Sequence, residues 1–270
     1  MVNGIRGIQM ESLKNKLNKE TALFILVVLF SLLLRKSMIY YRFTSDYGLF
    51  KNWYDYILDH GGILALSDNF SNYPPLYLLF LIAGAYIFGD TGYKPYGIKG
   101  FPILFDFVSA FFVYKILREK FKDGPIAYIG TSVFLLTPTM FINSSYWGQN
   151  DSMYLVGMLA CVYFLMRSTA SESDAPRRIT GNEIAAFVSL GLAIAIKLQA
   201  IFLAPLLLIL LFKKVSWKSF FIVPLVYLVT ILPAWLIGRP LQELLTLYVY
   251  QVNMFRDKLS ISAPSIYAWL

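Results

Sequence analysis

The sequence predicts an all-α fold: a polytopic helical membrane protein with about seven transmembrane helices, plus juxtamembrane helices in the first outer loop. Three observations predict it. The 270 residues are 57% hydrophobic and only 15% charged, against about 25% charged in a soluble chain. The apolar residues come as long blocks, and a membrane-crossing helix needs about 20 of them in succession. Finally, 19 Tyr and 22 Phe suit helices whose ends meet the membrane–water interface.

The first apolar stretch covers residues 22–40. Residues 1–20 (MVNGIRGIQMESLKNKLNKE) are polar and no small-residue cleavage site lies near the apolar run. The core at 22–34 therefore reads as a retained span rather than a signal peptide. Arg35 and Lys36 can snorkel at its end. Further stretches follow at about 74–90, 101–117, 125–143, 151–167, 183–196, 200–212 and 219–238. Four basic groups orient them: Arg6, Lys14, Lys16 and Lys19; Arg118, Lys120 and Lys122; Arg167, Arg177 and Arg178; Lys213, Lys214 and Lys218. Positive loops stay cytoplasmic. Residues 37–73 then lie outside and 118–122 inside, so an odd number of crossings separates them, although two apolar stretches intervene. The stretch 74–90 opens at Pro74-Pro75 and closes at Gly89-Asp90; it is read as juxtamembrane or re-entrant. The rest alternates, giving seven spans with 37–73, 144–150 and 239–270 on one outer face. The chain reads as a single transmembrane module over 1–270, and Leu270 falls inside what reads as a continuing loop. Residues 168–182 (STASESDAPRRITGN) form the one long polar cytoplasmic linker.

Composition also narrows the chemistry. Cys161 is the single cysteine and His60 the single histidine, so intrachain disulfides and Cys/His metal clusters are excluded. Net charge is +8, which in a membrane protein reads as cytoplasmic loop charge, not nucleic-acid binding. No Gly-rich phosphate loop precedes a helix.

Candidate functional residues gather in the outer segments. In TSDYGLFKNWYDYILDHG, Phe50, Trp53, Tyr54, Ile57 and Leu58 share one helical face. Lys51, Asn52, Asp55 and Asp59 share the other, which describes a helix lying in the interface with its aromatic side toward lipid. Asp55 and Asp59 are then solvated charges. Asp46 precedes that helix and reads either as an N-cap or as a carboxylate base at the water–lipid boundary. Tyr73 stands before two prolines in SNYPP. Trp147, Gln149 and Asp151 crowd the turn SSYWGQNDS, either as an aromatic-belt anchor with a helix cap or as the wall of a sugar site. Lys197 lies in the apolar run GLAIAIKLQAIFLAPLL. A charge at membrane depth costs about 2.5–3.5 kcal/mol on insertion scales, so it reads as a functional candidate or as a side chain that simply snorkels to the interface. Near the outer face it could meet an anionic headgroup, with Arg35, Lys36 and Arg239 as weaker candidates for that role. Asp106 in PILFDFV is a second buried charge, either paired or protonated.

The order SDYGLFKNW, NYPPLY, YWGQND, AIKLQAIFLAPL after a short N-terminus and first span resembles the GT-C superfamily of polyprenyl-phosphate-sugar-dependent glycosyltransferases. Within it the resemblance is to the protein O-mannosyltransferase-like and dolichyl-phosphate-glucose-dependent branches and their prokaryotic relatives. It covers most of residues 22–265, and SAPSIYAWL resembles a loop beyond the seventh span of such enzymes. The resemblance implies a seven-span module, with further spans after it in many members. It implies a hexosyltransferase that moves a sugar from a polyprenyl phosphate to a hydroxyl of a glycan, lipid or protein, on the extracytoplasmic face of a plasma or ER membrane, with inversion. Asp46 matches the family's general base. Lys197 and Arg239 would face the lipid phosphate; Tyr73, Trp147, Gln149 and Asp151 would line the substrate. No cofactor or metal is expected, although Asp46 and Asp151 could share a divalent ion if they converged. The rival readings are a transporter or lipid flippase, which would also bury Asp106 and Lys197, and a non-catalytic relative. Convergence of Asp46, Asp151 and Lys197 on one outer site separates these readings.

The charge pattern makes a topological prediction. In a Cys161→Ala background, single cysteines placed within 37–73 and within 144–150 are expected to react with an impermeant thiol reagent from the same, outer side. Labelling of 144–150 from the cytoplasmic side alone would overturn the scheme.

Overall fold

The computed structural model describes residues 2–122, 124–169, 179–211, 215–254 and 256–257, and every regular element among them is helical. Helix α1 (Val2–Met38) is followed by α2 (Ser45–Asp59), α3 (Pro75–Phe88) and α4 (Lys94–Phe121). Next come α5 (Gly124–Leu136), the short α6 (Pro138–Phe141), α7 (Asp151–Thr169), α8 (Gly181–Ile196), α9 (Ala204–Leu211), α10 (Ile222–Ile237) and α11 (Leu241–Met254). Most of the 168–182 linker, with Arg177 and Arg178, lies outside the described residues, as do Lys213, Lys214 and SAPSIYAWL.

Three segments are long and apolar enough to cross a membrane: Lys19–Met38, Lys94–Phe121 and Trp217–Ile237. A fourth exists if Pro125–Leu136 and Pro138–Trp147, bent by 50°, form one broken span. The protein is therefore an integral membrane protein with three to four candidate spans among the described residues. Helices α8 and Leu198–Leu208 are apolar but shorter. Helix α3 has 14 residues, about 21 Å at 1.5 Å per residue, short of the roughly 30 Å hydrocarbon core. It opens on Pro75 at its first position, where the missing N–H costs nothing.

The aromatic face of α2 is not turned to lipid. Phe50, Trp53, Tyr54 and Ile57 are buried, in one cluster with Tyr77, Leu78 and Leu81 of α3 and Ile98 of α4. The periodicity was that of a face buried against protein, and periodicity alone does not name what covers it. The single O–H of Tyr54 is shared between the carbonyls of Gly84 (3.2 Å) and Gly89 (3.0 Å), so the buried hydroxyl is satisfied. Gly84 and Gly97 let α3 and α4 meet backbone to backbone: a Cβ on Gly84 would lie 2.2 Å from the Gly97 carbonyl oxygen. Small residues at such crossings are the rule where lipid supplies no hydrophobic drive between helices. Asp55 is not free in solvent either. It pairs with Lys51 and Lys94, each at 2.6 Å. Burial pushes its carboxyl pKa up, but the two ammonium groups outweigh this and hold it below the ordinary value. Asp59 is exposed, as expected.

Arg35 does not snorkel. Its Nε donates to Asp106 Oδ2 at 2.7 Å, and both side chains are 0% exposed. Helix α5 breaks before Pro138, which leaves the Leu135 carbonyl without its helical donor. Arg35 Nη1 and Nη2 supply it, each at 3.2 Å. Ser144 Oγ adds a 2.6 Å bond to the same Asp106 oxygen. One ion pair thus joins α1, α4, α5 and the turn after α6, and Asp106 is a paired carboxylate.

Breaking a buried pair strands a charge, at a cost of about 3–5 kcal/mol, whereas replacing both partners with apolar groups is often near neutral. Asp106→Leu and Arg35→Met are each expected to lower thermal stability in nanodiscs sharply. The double variant should recover much of the loss. Additive losses would show that the pair is not the unit of stability.

Candidate active site

The candidate site is built where three chain segments meet: the start of α2, the turn between α6 and α7, and the break between α8 and the 3-10 turn Leu198–Leu203. Thr44 is the N-cap of α2, with its hydroxyl accepting from the Tyr47 N–H at 3.2 Å. The capping role left open for Asp46 therefore belongs to Thr44. Asp46 sits in the helix's first turn, where the positive end of the dipole favours a carboxylate. Thr44 Oγ1 also donates to the Trp147 carbonyl at 2.7 Å, and the Trp147 indole Nε1 donates to Asp46 Oδ2.

The turn that supplies Trp147 is unusual. Residues Ile142–Trp147 form a π-helical turn closed by Gly148 at φ +85°. Such turns gather at functional sites because they re-aim side chains. A side chain at Gly148 would be strained by that φ, and its Cβ would sit 3.1 Å from Lys99 Cε. Gln149 and Asp151 follow, and both meet Lys197. Lys197 Nζ lies 2.5 Å from Asp151 Oδ1 and 3.4 Å from Gln149 Oε1. Asp151 Oδ2 accepts from Asn143 Nδ2 at 3.1 Å.

Lys197 ends α8 in an extended conformation, φ −156° and ψ 132°. That break aims the ammonium inward, between the rings of Tyr73 (5.8 Å) and Tyr154 (5.9 Å), at the outer limit of cation–π range. Tyr73 completes the group. Burial pushes its hydroxyl pKa up; Lys197 opposes the rise, while Asp151 and Asp46 add to it. Tyr73 is thus a neutral phenol within electrostatic reach of all three charges.

Of the residues singled out in the sequence, Asp46 and Trp147 form one hydrogen-bonded pair and Gln149, Asp151 and Lys197 a second group beside Tyr73, and the turn from Trp147 to Asp151 joins the two. Arg239 stands apart from them. It is buried after α10, its Nη2 donating to Asn69 Oδ1 at 2.7 Å, with Glu243 at 3.7 Å. No hydrogen bond or ion pair among the described residues links it to Asp46, Asp151 or Lys197. Its Nε and Nη1 have no hydrogen-bond partner. Trp147 donates to Asp46, and Lys197 and Asn143 donate to Asp151. Among the described residues, no three His, Cys, Asp or Glu side chains come together.

Sequence reasoning missed Lys99. It is buried on α4 and donates to three backbone carbonyls, those of Tyr41 (2.5 Å), Ser145 (2.9 Å) and Tyr146 (3.1 Å). The signal that flagged Lys197, an isolated cation at the edge of an apolar run, was present for Lys99 in GIKGFPILF. The pairing of Thr44 with Trp147, 103 residues away, left no trace in local pattern.

A helical membrane protein with an acid, a cation and aromatic side chains gathered around one turn is the class this geometry defines. The sequence pattern of the dolichyl-phosphate-mannose-protein mannosyltransferases matches residues 72–238, and the chain belongs to that family, a GT-C family of glycosyltransferases. The matched region includes Tyr73, Trp147, Gln149, Asp151 and Lys197; Asp46 and Arg239 lie outside it. No curated protein and no solved structure matches the chain.

The Lys197–Asp151 pair is half open to solvent, with side chains 15% and 36% exposed. A double-mutant cycle of Lys197→Met and Asp151→Asn, read by thermal unfolding in nanodiscs, should give a coupling near the low end of the usual 0.5–3 kcal/mol for contacting residues. A coupling of zero would show that the pair is not formed in solution.

Proposed function

We propose that the chain transfers a sugar from a polyprenyl phosphate to an acceptor hydroxyl on the extracytoplasmic face, inverting the anomeric centre. The scheme of seven spans, with 37–73 and 144–150 outside, is part of the proposal. The observation that carries it is the convergence of Asp46, Tyr73, Trp147, Gln149, Asp151 and Lys197 at one end of the helices.

In this reading Asp46 accepts the proton of the acceptor hydroxyl. The oxygen attacks the anomeric carbon, and the bond from that carbon to the phosphate oxygen breaks with its electron pair leaving on phosphate. A cation is needed where that charge develops. Lys197 has three N–H donors; Asp151 and Gln149 accept from it, the Tyr73 hydroxyl lies against it as well, and a phosphate oxygen would take the place of Tyr73. Asp151 then holds Lys197 in place and does not bind sugar directly. Trp147 fixes the orientation of Asp46, and Tyr73 offers an aromatic face and a neutral hydroxyl to the sugar. Arg239, whose Nη1 has no hydrogen-bond partner, is a second cation for the lipid phosphate. The acceptor class (glycan, lipid or protein) follows the family in outline only. A flippase would need no base at Asp46, which is where the two readings part.

The test is a panel assayed with polyprenyl-phosphate mannose in nanodiscs. Asp46→Asn should lose about 10²–10⁴ in rate with folding intact, while Asp55→Asn and Asp59→Asn keep turnover. Lys197→Met should weaken donor binding, and Lys197→Arg should retain part of it because the charge survives. Full turnover in Asp46→Asn would remove the mechanism.

A further inference from the structure

Lys99 is buried near the N-terminal end of α4, and among the described residues no carboxylate pairs with it. A lysine ammonium is strongly hydrated, and burying it without partners is costly. Here the partners are three backbone carbonyls. Two of them, Ser145 and Tyr146, belong to the last residues of the π-helical turn, where carbonyls lack helical donors. A cation at the carbonyl end of a helical turn is also favoured by the dipole. The third, Tyr41, belongs to the strand of chain that leaves α1 for α2. The Tyr41 ring stacks on Tyr146 with centroids 3.8 Å apart, and Lys99 Nζ lies 5.0 Å from the Tyr47 ring centroid. The two backbone segments are thus clasped by a single ammonium group.

Those segments are the ones that deliver Asp46 and Trp147. Tyr41 is three residues before Thr44, which caps the helix of Asp46 and donates to the Trp147 carbonyl. Tyr146 directly precedes Trp147, whose indole donates to Asp46. Gly148 is needed beside the clasp, because a Cβ there would press on Lys99 Cε at 3.1 Å. We propose that Lys99 is a positioning residue for Asp46: by binding the Tyr41, Ser145 and Tyr146 carbonyls it sets the spacing between the carboxylate and the Trp147 indole that orients it. The inference rests on the role of Asp46 as base proposed above. Small displacements of a reacting group far from the mutated residue can cost about 10²-fold in rate.

The test uses the full chain in nanodiscs with polyprenyl-phosphate mannose as donor. Lys99→Met should lower kcat by about tenfold to a hundredfold and leave the donor KM unchanged. In an Asp46→Asn background the same substitution should cost nothing further, since the group it positions is already gone. An equal loss in both backgrounds, or a raised donor KM with unchanged kcat, would overturn the proposal. A second arm needs no turnover. With 5-fluorotryptophan incorporated and the Trp147 signal assigned by Trp147→Phe, the ¹⁹F resonance should move in Asp46→Asn and move the same way in Lys99→Met. An unmoved resonance in Lys99→Met would also overturn it. If the wild-type chain transfers no sugar, the reading of Asp46 as base falls, and the ¹⁹F arm still decides whether Lys99 holds Trp147 against Asp46. Should Lys99→Met fail to fold, Lys99→Gln, which keeps two N–H donors, is read in the same two ways.

Discussion

The buried ion pair between Arg35 and Asp106 is the constraint from which the candidate site follows. A guanidinium and a carboxylate in an apolar helical environment have no water to solvate them, so each must find its bonds within the protein. Arg35 does so by taking Asp106, the Ser31 carbonyl and the Leu135 carbonyl exposed at the break before Pro138. That choice fixes the end of α1 against α4 and α5. The chain therefore leaves α1 at one defined point, next to the π-helical turn, and the short run to Asp46 has little freedom left.

Polar groups then accumulate in layers above that pair. Ser144 of the π turn reaches down to Asp106. Lys99, two helical turns along α4 from Asp106, gathers the carbonyls at the top of the same turn. Trp147 and Thr44 connect the turn to α2. On the far side, the break after α8 turns Lys197 toward Asp151. Each connection satisfies a backbone or side-chain group that a helix end or helix break would otherwise leave bare. The irregular backbone that makes the site is thus tolerated because side-chain cations and hydroxyls complete its hydrogen bonding, as membrane-depth irregularity requires.

Membership of the dolichyl-phosphate-mannose-protein mannosyltransferase family fits this distribution of function. The matched region carries the cation, the aromatic wall and the turn that holds them. The carboxylate read as the base lies ahead of it, in the first turn of α2, and meets the site through Trp147.

The sequence by itself determined that the protein is helical and membrane-embedded, because apolar block length and positive-charge bias are local quantities set by the bilayer. It also exposed Lys197 by the cost of a lone charge among apolar residues. It could not say what covered the aromatic face of α2: a helical stripe facing lipid and one facing α3 and α4 have the same period. Nor could it pair Arg35 with Asp106, 71 positions apart, or assign the cap of α2 to Thr44 rather than Asp46, because both residue types cap well. Lys99 went unread for a related reason. Its partners are backbone carbonyls, which every residue carries, and only tertiary packing decides which of them a helix break leaves unsatisfied.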